Sequence, residues 1–120
     1  MSTINALNLR RALGRREWLP PRPFGDDGWS IVRTDRTASV IASAADFDGT
    51  TWIHASIARD EMPTYDDLVQ LHTAVFGDGY AYQVFAPPSQ HVNIHQHALH
   101  LWGRADGKPS MPEFGAGGTI

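Results

Sequence analysis

The strongest constraint on the fold is one amphipathic helix set among runs that favour strands. In "MPTYDDLVQLHTAVFGDG" (62–79), Tyr65, Leu68, Val69, Val75 and Phe76, with His72 among them, recur at helical spacing and define one face. Thr64 follows Pro63 and is placed to cap the helix, with Asp67 three residues on as the reciprocal partner of a capping box. Asp66 and Asp67 suit the positive end of the helix dipole, and Gly77 and Gly79 supply the stop. A lone helix of this kind has to bury its stripe against something, and the rest of the chain supplies strands.

Those strands are read from β-branched and aromatic runs bounded by turn residues. "WSIVRT" (29–34) and "ASVIASAADF" (38–47) are joined by a polar turn at Asp35 and Arg36. "DGTTWIHASIAR" (48–59) opens with Asp48-Gly49, a strong signal for a tight hairpin turn because glycine adopts positive φ without steric cost. Residues 29–59 therefore read as a three-stranded antiparallel meander. After the helix, "YAYQVFA" (80–86) and "HVNIHQHALHLW" (91–102) read as two more strands. The fold class expected is α+β: an antiparallel sheet of about five strands in the order βββ-α-ββ, one helix packed on one face, and an N-terminal arm.

The expected organisation is an arm at 1–28, an α+β domain at 29–104 and a tail at 105–120. Within the arm, "TINALNLRRAL" (3–13) has a short helical pattern ended by Gly14, and "WLPPRPFGDDG" (18–28) is an extended connector, because Pro20, Pro21 and Pro23 exclude helix and central strand. The chain's net charge of −3 is unevenly spread. Residues 1–36 carry seven arginines, among them Arg10, Arg11, Arg15 and Arg16, against four acids; the remainder carries three basic and nine acidic residues. A basic arm on an acidic body can bind a polyanion, fold back on its own body or a neighbouring subunit, or stay solvated. The sheet face not covered by the helix needs a cover, which the arm or a second copy can provide.

A chain of 120 residues without cysteine has no disulfide, no cysteine nucleophile and no thiolate metal site. No apolar run approaches the roughly 20 residues that cross a bilayer, and the N-terminus lacks the apolar core of a secretory signal. The expectation is a cytoplasmic protein without membrane contact. No Walker loop, dinucleotide fingerprint or nucleophile elbow is present.

Chemistry concentrates in the histidines. His91, His95, His97 and His100 fall within twelve positions. Strand alternation puts His91, Asn93, His95 and His97 on one side and Val92 and Ile94 on the other. His95 and His97 are the candidate pair for a zinc ion, which needs a third ligand from His91, His54 or His100. No carboxylate lies between Asp78 and Asp106 to support such a site. Leu99 and Leu101 break the parity of Val92 and Ile94, which calls for a bulge or break near Gln96–Ala98. The simpler reading is a half-exposed strand that carries imidazoles on its outer side, with no cofactor.

Trp52, His54 and Ser56 share one face of their strand. His-x-Ser is half the signature of two-histidine phosphoesterases, and the second half is missing, because His97-Ala98-Leu99 and His100-Leu101-Trp102 lack the hydroxyl. His72 reads as a core histidine of the helix.

Together, Trp52-x-His54-x-Ser56, Pro63 with Asp67-Leu68, Val92-Asn93-Ile94-His95, Leu99-His100-Leu101-Trp102 and Pro112-x-Phe114 resemble a family of small domains of unknown function. The resemblance covers roughly residues 50–115, implies a bacteriophage or actinobacterial source, and draws attention to His54, His95 and His100. It implies no mechanism. The leading functional reading is then a small phage-type accessory protein, in the host cytoplasm if phage-encoded. It has no catalysis of its own and binds a macromolecule, either a host protein or itself, with Trp52, Trp102, Arg10, Arg11, Arg15 and Arg16 as candidate contacts. The alternative is a histidine-dependent, metal-assisted or acid–base hydrolase of a phosphoester using His54, His95 and His100 with Ser56. A third reading is nucleic-acid binding through the arm, which the acidic body opposes.

Overall fold

The structure is a computed structural model and describes residues 4–14, 16–86 and 97–109. Among the described residues it has two helices and one open antiparallel sheet of six strands. The elements run α1 (Ala6–Leu13), β1 (Arg22–Pro23), β2 (Gly28–Val32), β3 (Ala38–Phe47), β4 (Thr50–Arg59), α2 (Tyr65–Phe76), β5 (Tyr82–Ala86) and β6 (His97–Arg104). The α+β class holds. The sheet has six strands rather than about five and there are two helices rather than one, because the short pattern at 3–13 does form α1 and the proline-rich connector lends two residues to an edge strand.

The meander β2–β3–β4 forms where the hydrophobic alternation predicts it. The β3–β4 hairpin closes at Asp48 and Gly49, both at positive φ (52° and 78°), the pair of left-handed residues that a tight hairpin turn requires. The sheet order is β1-β2-β3-β4-β6-β5. The last strand therefore inserts beside β4, and β5 takes the edge, an arrangement that chain order does not reveal.

Antiparallel pairing puts opposed residues on the same side of the sheet, so the register sorts every strand into two faces. One face carries Ile31, Val40, Ala42, Ile53, Ala55, Ile57, Leu99 and Leu101, all buried in a single core with Leu71 of α2 and with Leu9, Leu13 and Trp18. Both helices pack on this side; α1 leans on α2, where Gln70 Nε2 donates to the Leu13 carbonyl. The segment read as an arm thus places part of its apolar surface on the face that α2 covers. Arg10 Nε donates to the Trp18 carbonyl at 3.0 Å and ties α1 to the chain that returns to the sheet.

α2 starts as expected. Asp67 N–H donates to Thr64 Oγ1 at 3.2 Å, and Thr64 N–H donates to Asp67 Oδ2 at 2.8 Å. The Asp67 carboxylate also pairs with Arg59 at the end of β4, which locks the helix start to the sheet. The buried face differs from the one the spacing indicated. Leu71 is the fully buried residue, with Leu68, Ala74, Val75 and Phe76 around it, whereas Tyr65 is 76% exposed and Val69 is 44% exposed. The helix is apolar on more than one side, so its period alone does not choose between two rotations, and the close seat of Phe76 on Gly103 of β6 selects the observed one. A Cβ on Gly103 would stand 2.7 Å from Phe76 Cε1 and 2.5 Å from the Tyr80 carbonyl oxygen. None of the described helices is long and apolar enough to cross a membrane.

Candidate functional site

The candidate site lies on the other face of the sheet, at the β4–β6 pair. His54 is opposed by Trp102 and Ser56 by His100, so His54 and His100 are diagonal neighbours across two strands. Long and aromatic side chains reach each other at that spacing. The local sequences explain the convergence: Trp-x-His-x-Ser and His-x-Trp both alternate with buried aliphatics, so each strand delivers its polar aromatics to the same side.

His54 Nε2 and His100 Nδ1 stand 2.8 Å apart and share a hydrogen bond in which one ring donates its N–H to the lone pair of the other. The imidazole planes differ by 7° and their centroids are 5.1 Å apart, which is the geometry of two rings meeting edge to edge across that bond. Trp102 covers the face of His54 at 4.2 Å between centroids and 18° between planes. The unit is a flat aromatic layer of indole on imidazole, with the second imidazole in nearly the same plane as the first.

Burial pushes the His54 imidazole from 6.5 down to about 4, and the neighbouring His100 adds to the effect by opposing a second charge. His54 is therefore neutral at pH 7. Its direct neighbours in register are Ser43 and Trp102, and those of His100 are Ser56 and Val84; none of these four described residues is a carboxylate. A base with a pKa near 4 sits far from the neutral operating range at which general acid–base catalysis is most effective.

The rest of this face divides into two halves. Toward one end Ser39, Ile41, Ser56, Ala58 and Ala98 are buried. Toward the β3–β4 hairpin, Phe47 is 54% exposed, and Trp52, His54, Trp102 and Tyr82 are half-buried. Trp52 is opposed by Arg104, whose guanidinium is held by Asp106 at 2.7 Å. Tyr82 is opposed by Trp102 from the edge strand, and burial raises its phenol pKa. Phe47, Ser43 and Tyr82 were missed from sequence; the alternation of β3 was the available signal for the first two, whereas placing Tyr82 requires knowing that β5 pairs with β6.

The other expected site residues fall elsewhere. His97 opposes Arg59 and shares the side of Leu99 and Leu101, so it points to the helix side of the sheet and away from His54 and His100. The outward orientation expected for His97 is thus reversed, because the pairing of β6 keeps strict alternation from His97 to Arg104. His91, His95 and the expected bulge or break near Gln96 fall wholly or partly outside the described residues, as does Arg15. Among the described residues no group of three or more His, Asp or Glu could hold a metal ion. Arg11 and Arg16 are exposed. His72 is partly buried, its ring tilted against Phe76 at 5.7 Å.

The profile of one family, Domain of unknown function (DUF7694), matches residues 44–106. This chain belongs to that family. The match starts in β3 and ends just beyond β6, so the DUF7694 segment contains His54, His100, Trp52 and Trp102 and leaves α1 and β2 outside. No curated protein and no solved structure matches the chain.

Proposed function

We propose that this protein is a non-catalytic binding domain and that its partner is a protein that docks on the aromatic half of the sheet face opposite the helices. The observation that carries the reading is the His54–His100–Trp102 layer: flat, hydrogen-bonded within itself, with the His54 ring held neutral at pH 7, and flanked by half-buried Trp52 and exposed Phe47. Interface centres are rich in Trp, Tyr and Phe and poor in charge, and a few such side chains carry most of the binding energy. The neutral His54 ring adds hydrogen-bonding capacity without a full charge to desolvate.

The test is capture of a partner by the full-length chain, followed by light scattering of the isolated complex. A complex of defined stoichiometry that is lost in Trp52→Ala and kept in Tyr65→Ala, on the helix side, is the expected result. A concentration-dependent dimer lost in the same variant would identify the partner as a second copy.

One observation favours a second reading, the histidine-dependent hydrolase. Two of its three imidazoles do converge, beside Ser56. That reading predicts turnover of a phosphodiester such as bis(4-nitrophenyl) phosphate, abolished in His54→Gln. Such turnover would displace the binding domain as the explanation of this face.

A further inference from the structure

A second feature of the same sheet face lies at the opposite edge, over β1 and β2, and is independent of the proposed protein-docking site. A cavity of about 450 Å³ opens there, floored by Ser30 and Val32, walled by Pro20 and Pro21, and edged by Arg22 and Arg36. Arg22 opposes Ser30 in register, so its side chain belongs to the face away from the helices. The volume is within the range of sites that hold small ligands.

The strap that walls the cavity is fixed in place. Leu19 N–H donates to the Val32 carbonyl at 2.8 Å, Trp18 bridges Arg33, and the two prolines restrict the backbone between them. The two guanidinium groups have no ion-pair partner among the described residues. The acid next to Arg36 in sequence, Asp35, is already engaged: its carboxylate accepts from Thr37 Oγ1 at 2.6 Å and from Thr37 N–H at 3.0 Å, and it pairs with Arg33.

Arg36 carries a further sign. Its φ is +65°, in the left-handed region that glycine and asparagine occupy at less cost. A long β-substituted side chain at a position where glycine is cheaper points to a role for that side chain beyond folding. Here the side chain lines the cavity.

We propose that this cavity binds a carboxylate attached to an apolar body, with Arg22 and Arg36 gripping the carboxylate and Pro20, Pro21 and Val32 receiving the apolar part. Guanidinium forks match planar carboxylates with paired, charge-assisted hydrogen bonds.

The experiment is a titration of the full chain with N-acetyl-leucine, followed by backbone amide NMR. N-acetyl-leucinamide and inorganic phosphate serve as the two comparison probes. The expected result is a saturable shift at Ser30, Val32 and Arg36 with the acid, and binding weaker by about tenfold or more for the amide, which lacks the charge. Phosphate, which lacks the apolar body, is expected to bind more weakly than the acid. Arg36→Gly is expected to lose about tenfold in affinity for the acid while its thermal midpoint stays level or rises, because glycine adopts this φ freely. Arg22→Gln is expected to weaken binding in the same direction. No saturable shift at these amides, equal binding of the acid and its amide, phosphate binding as tightly as the acid, or full affinity in Arg36→Gly would each overturn the proposal.

Discussion

At the scale of single residues, His54 is the most informative position. Its folded-state pKa of about 4 lies below the ordinary value of 6.5. As pH falls, the unfolded chain takes up the proton first, so the neutral ring stabilises the fold fully above pH 6.5 and that contribution drains away as pH falls from 6.5 toward 4. The shift corresponds to about 2–3 kcal/mol once the partial solvent contact of the ring is allowed for. Urea unfolding of the parent and of His54→Gln measures it directly: the stability difference between them should narrow by that amount between pH 7 and pH 4. Parallel pH profiles would mean that the ring is not held neutral. The importance of His54 and His100 was legible in sequence, because Trp-x-His-x-Ser and Leu-His-Leu-Trp each alternate polar aromatics with aliphatics. Their contact was not legible, since it depends on β6 inserting beside β4 and on the register that sets Ser56 against His100.

At the scale of elements, α2 and β6 make the seat on which the site rests. Gly103 is tight because Phe76 and the Tyr80 carbonyl occupy the space a side chain would need. Gly103→Ala is expected to destabilise by about 1–3 kcal/mol, read as a lower urea midpoint with unchanged slope. The start of α2 depends on Asp67, which serves both the capping box and the pair with Arg59. Asp67→Ala removes both and is expected to cost about 2 kcal/mol, whereas Asp66→Ala, at an exposed position, should cost a few tenths of that in the same unfolding measurement. The cap and the stop of this helix were legible because each rests on a local backbone need. Its rotation was not, because Leu68, Val69, Leu71, Val75 and Phe76 spread apolar surface around the cylinder and only the partner surface decides which part is buried.

At the scale of the whole molecule, the sheet separates a packed aliphatic face from one that carries polar aromatics. One face is aliphatic, covered by both helices and closed by Trp18. The other carries the imidazole–indole layer on one side of its width and the arginine-edged cavity on the other. The α+β class and the central meander were legible from periodicity and from Asp48-Gly49. The return of the N-terminal segment to the helix side was one of several arrangements its composition allowed, because a basic amphipathic segment of that length carries no local mark of which surface it will meet. With α1 spent on the helix side, the opposite face retains the aromatic residues that the proposed function assigns to a partner.

On that face His54 is held neutral by burial beneath Trp102 and is hydrogen-bonded to His100. The direct measurement is a pH titration of the imidazole nitrogens by NMR in the intact protein. His54 is expected to stay neutral well below pH 6, to take up its proton near pH 4, and to show a shared hydrogen bond between its Nε2 and Nδ1 of His100. Independent titration of His54 near 6.5, with no coupling to His100, would contradict it.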